Sequence, residues 1–110
     1  MNIMNILNYT PHVINLVRED GSQEVIPSSG VARSQEIKNK VGEVNGFPVY
    51  VVTYGELTGL PEQADDTVLV VSAIVAYAAK AAGRTDCRTV SDTVRNDAGQ
   101  IIGAKALAIV

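Results

Sequence analysis

Three short turn signals, each between runs of strand-forming residues, constrain this chain most strongly, toward a fold built from β-hairpins. In chain order they are Asp20-Gly21 between residues 12–18 and 23–26, Asn45-Gly46 between 31–44 and 47–54, and Asn96 to Gly99 between 93–95 and 100–102. In Asn-Gly and Asp-Gly pairs both residues favour the positive φ angles of a tight hairpin. The pattern predicts three hairpins and a mostly antiparallel sheet.

A single segment predicts a helix. Ser72 follows an apolar strand over 68–71, and its hydroxyl can accept a free amide of the first helical turn. Residues 73–82 are rich in Ala, with Ile74 expected on the buried face, and Gly83 is the residue type that commonly ends a helix.

We therefore expect an α+β fold in a single domain over residues 1–110. It is either a mostly antiparallel β-sheet or a small, partly open barrel built from hairpins, with the Ala-rich helix packed on it. The segment 55–66 contains two Gly and one Pro and is expected to be a surface loop, a common place for function.

Composition excludes several classes of protein. Hydrophobic residues make up 46% of the chain and charged residues 19%, a balance typical of folded proteins and not of disordered ones. The net charge of −3 argues against duplex nucleic acid as a partner, because binding to it depends on cations that neutralise phosphates. There is no apolar run of membrane-spanning length, and the start of the chain, Met1 to Leu7, lacks the basic stretch of a signal peptide. We expect a soluble protein of the cytoplasm that binds no membrane.

Catalytic signals are weak. The common nucleotide-binding, zinc-protease and serine-hydrolase motifs are absent, and one Cys with one His does not make a zinc site, so we expect no enzyme activity, no metal and no cofactor. A small hydrolase that uses Cys87 or His12 is the alternative. The cations Arg84 and Arg88 near Cys87 would lower its pKa, whereas Cys is also often a buried apolar residue, which we favour.

Arginines beside Ser and Gly turns are the remaining signal. Guanidinium groups bind phosphate or carboxylate through paired hydrogen bonds, and the amides of turns and helix starts complement an anion. A tyrosine can stack on a base. The candidate ligand-binding residues are Ser29, Gly30, Arg33, Tyr54, Ser72, Arg84, Asp86 and Arg95. The alternative is that these arginines pair with surface carboxylates.

Several segments together resemble small uncharacterised proteins encoded by bacteriophages and prophages. They are Thr10 to Leu16, Pro27 to Arg33, Tyr54 to Pro61, Val70 to Ala76, and Gly83-Arg84 with Asp86 close behind, so the likeness covers nearly the whole chain. The resemblance implies a phage accessory protein acting stoichiometrically in the cytoplasm of the host cell.

Two functions remain open. The first is binding of a small anionic ligand, such as sequestration of a nucleotide signal of host defence, by a homo-oligomer. The second is a protein-interaction module, either an inhibitor of a host protein or a minor virion component, with the loop 55–66 and the tyrosines as its contact surface.

Overall fold

Eight strands and one helix make up the protein in a computed structural model that describes residues 4–110. The strands are β1 (Asn5–Asn8), β2 (Ile14–Val17), β3 (Gln23–Ile26), β4 (Glu36–Val44), β5 (Phe47–Tyr54), β6 (Thr67–Val70), β7 (Cys87–Arg95) and β8 (Ile101–Ala108), and helix α1 is Ala73–Ala81. The first three residues, which belong to the segment where no signal peptide is expected, lie outside the described residues.

Six strands form one sheet in the order β1-β6-β7-β8-β2-β3. The β2–β3 and β7–β8 pairs are antiparallel hairpins, whereas β1–β6, β6–β7 and β2–β8 are parallel. The sheet curls until its two end strands, β1 and β3, meet along a seam between Asn8 and Ser28, which makes it a nearly closed barrel.

The side chain of Asn8, which is fully buried, closes this seam. Its Nδ2 donates to the carbonyl of Ile26 at the end of β3 (3.0 Å) and to that of His12 (2.6 Å). Its Oδ1 accepts from the amide (2.9 Å) and the hydroxyl (2.6 Å) of Thr10. The backbone carbonyl of Asn8 also accepts from the amide of Ser29 at 2.8 Å. One amide side chain thus holds three stretches of chain together.

The main apolar core lies between helix α1 and the sheet. Its buried members are Ala32, Leu69, Val71, Val75, Ala76, Ala79 and Cys87. Strand residues alternate between faces, so Leu69 points to the helix and its neighbour Val70 to the inside of the barrel. Small Ala side chains let the helix approach closely.

Strands β4 and β5 form a separate two-stranded sheet, the arm (residues 36–54). They pack almost only against each other, and every residue from 36 to 53 is exposed. The Cα radius of gyration is 16.4 Å, above the roughly 13 Å expected for a compact chain of this length. The arm therefore projects from the barrel.

The α+β fold class, with a curled sheet and one Ala-rich helix, is confirmed. Local signals were accurate: Asn45 (φ 50°) and Gly46 (φ 83°) form the arm's turn, Ser72 caps the helix, and Gly83 (φ 87°) follows its end. At the first turn only Gly21 has positive φ, so the prediction of a positive-φ pair there was wrong. In this turn the amide of Gly21 instead donates to the carbonyl of Arg18. The loop is longer than a two-residue turn, and a single glycine with positive φ is enough to form it.

Other differences are non-local. Strand β1 and the three parallel pairs had no local signal, and β4 begins at Glu36 and not at residue 31. The helix also buries Val75 and Ala79, whereas Ile74, expected on the buried face, is 40% exposed. Ile74 instead lines the cavity at the root of the arm, where it stays partly exposed.

Replacing Asn8 with Ala is expected to lower the free energy of unfolding by about 3 kcal/mol, because buried carbonyls and the Thr10 amide lose their partners. Asn5→Ala, on the same strand but exposed, is the control and should cost less than about 0.5 kcal/mol. Urea denaturation measures both. Equal losses in the two variants would contradict the role assigned to Asn8.

Candidate functional site

A cavity of about 490 Å³ opens where the root of the arm meets the start of helix α1. Its polar and charged lining consists of Arg33, Ser34, Gln35, Glu56, Thr58 and Ser72. Its apolar lining consists of Pro11, Val31, Ala32, Ile74 and Val75. Most of the lining residues are exposed, so the cavity is an open groove, and its lining combines apolar walls with a few polar groups, as small-molecule sites do.

The backbone on both sides of the arm fixes Arg33. An isolated antiparallel bridge joins Arg33 to Thr58, with both amide-to-carbonyl distances 2.9 Å. Gly59 has φ 90°, and a Cβ there would lie 2.5 Å from the carbonyl oxygen of Val31. Only glycine permits this approach, so Gly59 is what lets the loop 55–66 press against the segment that carries Arg33.

The N-terminus of helix α1 supplies the other side of the cavity. Ser72 has extended backbone angles, and its hydroxyl accepts from the amide of Val75 at 3.5 Å. The amides of Ala73 and Ile74 have no intrahelical acceptor, as at the start of any α-helix. The first turn contains no acidic residue that would neutralise the partial positive charge there. An anion at this position is therefore favoured.

Within residues 4–110 the guanidinium of Arg33 forms no salt bridge. Glu56 lies in the same lining, in the loop that follows β5, and gives the cavity one carboxylate. The lining of the cavity thus contains one arginine, the start of a helix and one carboxylate.

Of the eight residues predicted from sequence, Arg33 and Ser72 line this cavity together. Tyr54, the last residue of β5, stacks in parallel on Tyr77 of helix α1, with ring centroids 6.4 Å apart. This contact joins the arm to the helix. The amide of Ser29 already donates to the carbonyl of Asn8. At Gly30 a Cβ would lie 3.1 Å from the ring of Tyr9. Ser29 and Gly30 therefore shape the chain that leads into the cavity.

Arg84 and Asp86 lie past the other end of the helix, about 14 Å along its axis from Ser72 for nine residues at 1.5 Å each. Arg84 donates to both carboxylate oxygens of Asp86, Nε at 3.0 Å and Nη2 at 2.7 Å. These bonds lower the pKa of the Asp86 carboxyl and raise the pKa of the Arg84 guanidinium. The pair is internally satisfied and does not line the cavity.

Arg95 is also remote from the cavity. It lies at the turn between β7 and β8, where its Nη1 donates to the carbonyl of Gly99 at 2.7 Å. This bond ties the turn together and leaves the rest of the guanidinium exposed to solvent.

Cys87 is buried in the apolar core. Burial, with the nearby Asp86 carboxylate, raises the pKa of its thiol to about 11, so the lowering by Arg84 and Arg88 is outweighed. A thiolate is thus disfavoured at neutral pH. His12 takes part in the seam through its backbone carbonyl.

The other four polar or charged lining residues were not among the eight predicted ligand-binding residues: Ser34, Gln35, Glu56 and Thr58. Two of them, Glu56 and Thr58, lie in the loop 55–66 that the sequence indicated as a possible contact surface. Within residues 4–110 no three His, Cys, Asp or Glu side chains cluster as metal ligands. The described chain also contains no helix with the length and apolar character needed to cross a bilayer.

The pair of Arg84 with Asp86 gives a pH-dependent prediction. Because the pKa of Asp86 is lowered on folding, the pair stabilises the protein above pH 3.8 and this contribution is lost as the pH falls through the folded-state pKa. Asp86→Asn should reduce the free energy of unfolding by about 2 kcal/mol at pH 7. Denaturation from pH 7 to pH 2 should show the difference from the wild type shrinking below pH 3.8. A difference that stays constant over this range would contradict the assignment.

Comparison of the chain with protein-family models, with curated proteins and with solved structures finds no match in any of the three. The cavity at the root of the arm is therefore the basis on which a function can be proposed.

Proposed function

We propose that this protein is a non-enzymatic binding protein that holds a small anionic ligand in the cavity between Arg33 and the start of helix α1. The observation that carries the proposal is that a guanidinium without a salt bridge within residues 4–110 and the free amides of a helix N-terminus line one cavity. Both features favour an anion, and both belong to the lining of the same cavity.

A phosphate group fits the free donors of this cavity. The guanidinium of Arg33 can provide two parallel hydrogen bonds, the hydroxyl of Ser72 can provide one, and the amide of Ile74 is free at the start of the helix. The hydroxyl of Ser34 also lines the cavity, but it already donates to the carbonyl of Gly55. Binding needs little reorganisation, because the Arg33–Thr58 bridge already holds the backbone of Arg33 in place.

The remaining walls indicate the rest of the ligand. Val31, Ile74 and Pro11 offer apolar surface, whereas Gln35 and Glu56 offer an amide and a carboxylate. A carboxylate repels a second anionic group but accepts hydrogen bonds from hydroxyl or amino groups. This combination favours a ligand with one phosphate end and a hydrogen-bonding, partly apolar body, which describes a nucleotide.

The two residues of the alternative hydrolase, Cys87 and His12, do not line this cavity. Cys87 is buried in the core, and burial raises the pKa of its thiol to about 11. In the phage setting that the sequence resemblance implies, such a protein would act in the host cytoplasm, as a homo-oligomer, by sequestering a nucleotide signal of host defence.

A protein-interaction module is the second candidate, and the arm is the observation that favours it. Phe47 at its tip is 72% exposed and Val44 is 61% exposed, which is unusual for large apolar side chains that have no partner. A host protein or a virion component would be the partner in this case.

Thermal denaturation with nucleotides tests the first proposal. A nucleotide monophosphate or cyclic nucleotide at a hundred times its dissociation constant should stabilise the protein by about 2.7 kcal/mol and raise the melting temperature by several degrees. Arg33→Ala should weaken this binding by about tenfold or more, because the guanidinium supplies the paired hydrogen bonds.

Arg95→Ala is the matched control. It removes the same charge from an exposed arginine outside the cavity, so it should leave ligand affinity unchanged. Equal loss of affinity in the two variants would mean that only net charge matters. If a panel of linear and cyclic nucleotides and inorganic phosphate leaves the melting temperature unchanged, the proposal is wrong.

A further inference from the structure

The arm has two chemically different faces. Residues paired across the two strands share a face, and successive residues alternate between faces. The charged face contains Glu36, Lys38, Lys40, Glu43, Pro48, Tyr50, Val52 and Tyr54. The uncharged face contains Ile37, Asn39, Gly42, Val44, Phe47, Val49, Val51 and Thr53. All four charges of the arm are thus on one side.

The uncharged face is directed away from the protein's own helix. Tyr54 belongs to the charged face and stacks on Tyr77, so at its root the arm turns that face toward helix α1. The four charges of the charged face pair with each other, Lys40 with Glu43 at 2.6 Å and Lys38 with Glu36 at 3.6 Å. Nothing within residues 4–110 covers the uncharged face.

An isolated two-stranded hairpin is only marginally stable in water, and this arm exposes apolar side chains along its length. The exposed fractions of Ile37, Val44, Phe47, Val49 and Val51 range from 38% to 72%. These correspond to roughly 500 Å² of accessible surface per copy, so complete burial of two such faces would cover at most roughly 1,000 Å², the minimum that a specific interface needs.

We propose that the protein forms a dimer in which the uncharged faces of two arms pack against each other about a twofold axis. Sheets that pack face to face bring their apolar side chains into one layer about 10 Å thick, which is how two marginal hairpins become one stable unit. A second copy supplies the same apolar rows that the first presents, as a twofold interface requires.

The distribution of charge favours a second copy over a charged partner. The arm contains two Lys and two Glu and is therefore electrically neutral, and its interacting face has no charge at all. A nucleic acid or a strongly acidic or basic protein would find no complementary potential on this face. An identical, neutral, apolar face is the simplest complement.

The strand edges of the arm favour a closed dimer over open-ended growth. Pro48 lies in β5 and cannot donate a backbone hydrogen bond at the outer edge. In β4 the register shifts between Lys40 and Gly42, so Val41 forms a bulge that disrupts that edge. Both devices discourage pairing of further strands and leave face-to-face packing as the available mode.

Sedimentation velocity with a pair of neighbouring variants tests the dimer. Val51→Glu puts a carboxylate on the uncharged face, and Val52→Glu puts the same group on the opposite face of the same strand. The two valines are 49% and 42% exposed, so both variants should fold alike. We expect the wild type and Val52→Glu to sediment at twice the 11.7 kDa chain mass. Val51→Glu should raise the dimer dissociation constant at least about a hundredfold and sediment as a monomer.

Circular dichroism verifies that each variant is folded, and Phe47→Ser, at the tip of the same face, replaces Val51→Glu if that variant fails to fold. A wild-type protein that remains monomeric at about 100 μM, far above the dissociation constants of specific dimers, overturns the proposal and points to a different protein as the partner of the arm. Dissociation by Val52→Glu but not by Val51→Glu overturns it as well.

Discussion

The fold depends on the closure of its sheet by the Asn8 side chain. A curved sheet of six strands has two free edges, whose unpaired amides and carbonyls must find partners or water. Here the edges meet where Asn8 donates to the carbonyl of Ile26 on one side and accepts from Thr10 on the other. A carboxamide suits this position because it donates two hydrogen bonds and accepts two, whereas a hydroxyl has one proton to donate and a carboxylate has none. The seam also positions the segment that leads to Arg33, because the amide of Ser29 at the start of that segment donates to the carbonyl of Asn8.

Features encoded over a few residues could be predicted from the sequence. The Asn45-Gly46 turn, the Ser72 cap and the glycine after the helix follow from backbone preferences of single residues, and the structure has all three. Strand β1 and the parallel pairs could not be predicted, because a parallel pair joins segments distant in sequence and leaves no turn between them. The burial of Asn8 was equally hidden, since an asparagine near Pro and Thr has the signature of a loop.

The candidate site was only partly predictable for the same reason. Arg33 and Ser72 were candidates as an arginine near a Gly turn and as a helix cap, but their meeting depends on the long-range bridge from Arg33 to Thr58. That bridge needs Gly59, whose role is visible only once the carbonyl of Val31 is seen 2.5 Å from where a Cβ would be. Arg84 and Asp86 have the residue types of a ligand site, yet they are two apart in sequence and bond to each other.

The cavity and the arm share the same stretches of backbone. Arg33, Ser34 and Gln35 lead into β4, and Glu56 and Thr58 follow β5, so the walls of the cavity are also the root of the arm. Two contacts connect the two sides of that root. The amide of Gly55 donates to the carbonyl of Gln35 at 2.7 Å, and the bridge between Arg33 and Thr58 lies next to it. Any contact that fixes the direction of the arm therefore restricts the positions of Arg33 and Glu56. If the proposed ligand and the proposed second copy both restrict this root, thermodynamic linkage requires each of them to change the affinity of the other by the same factor.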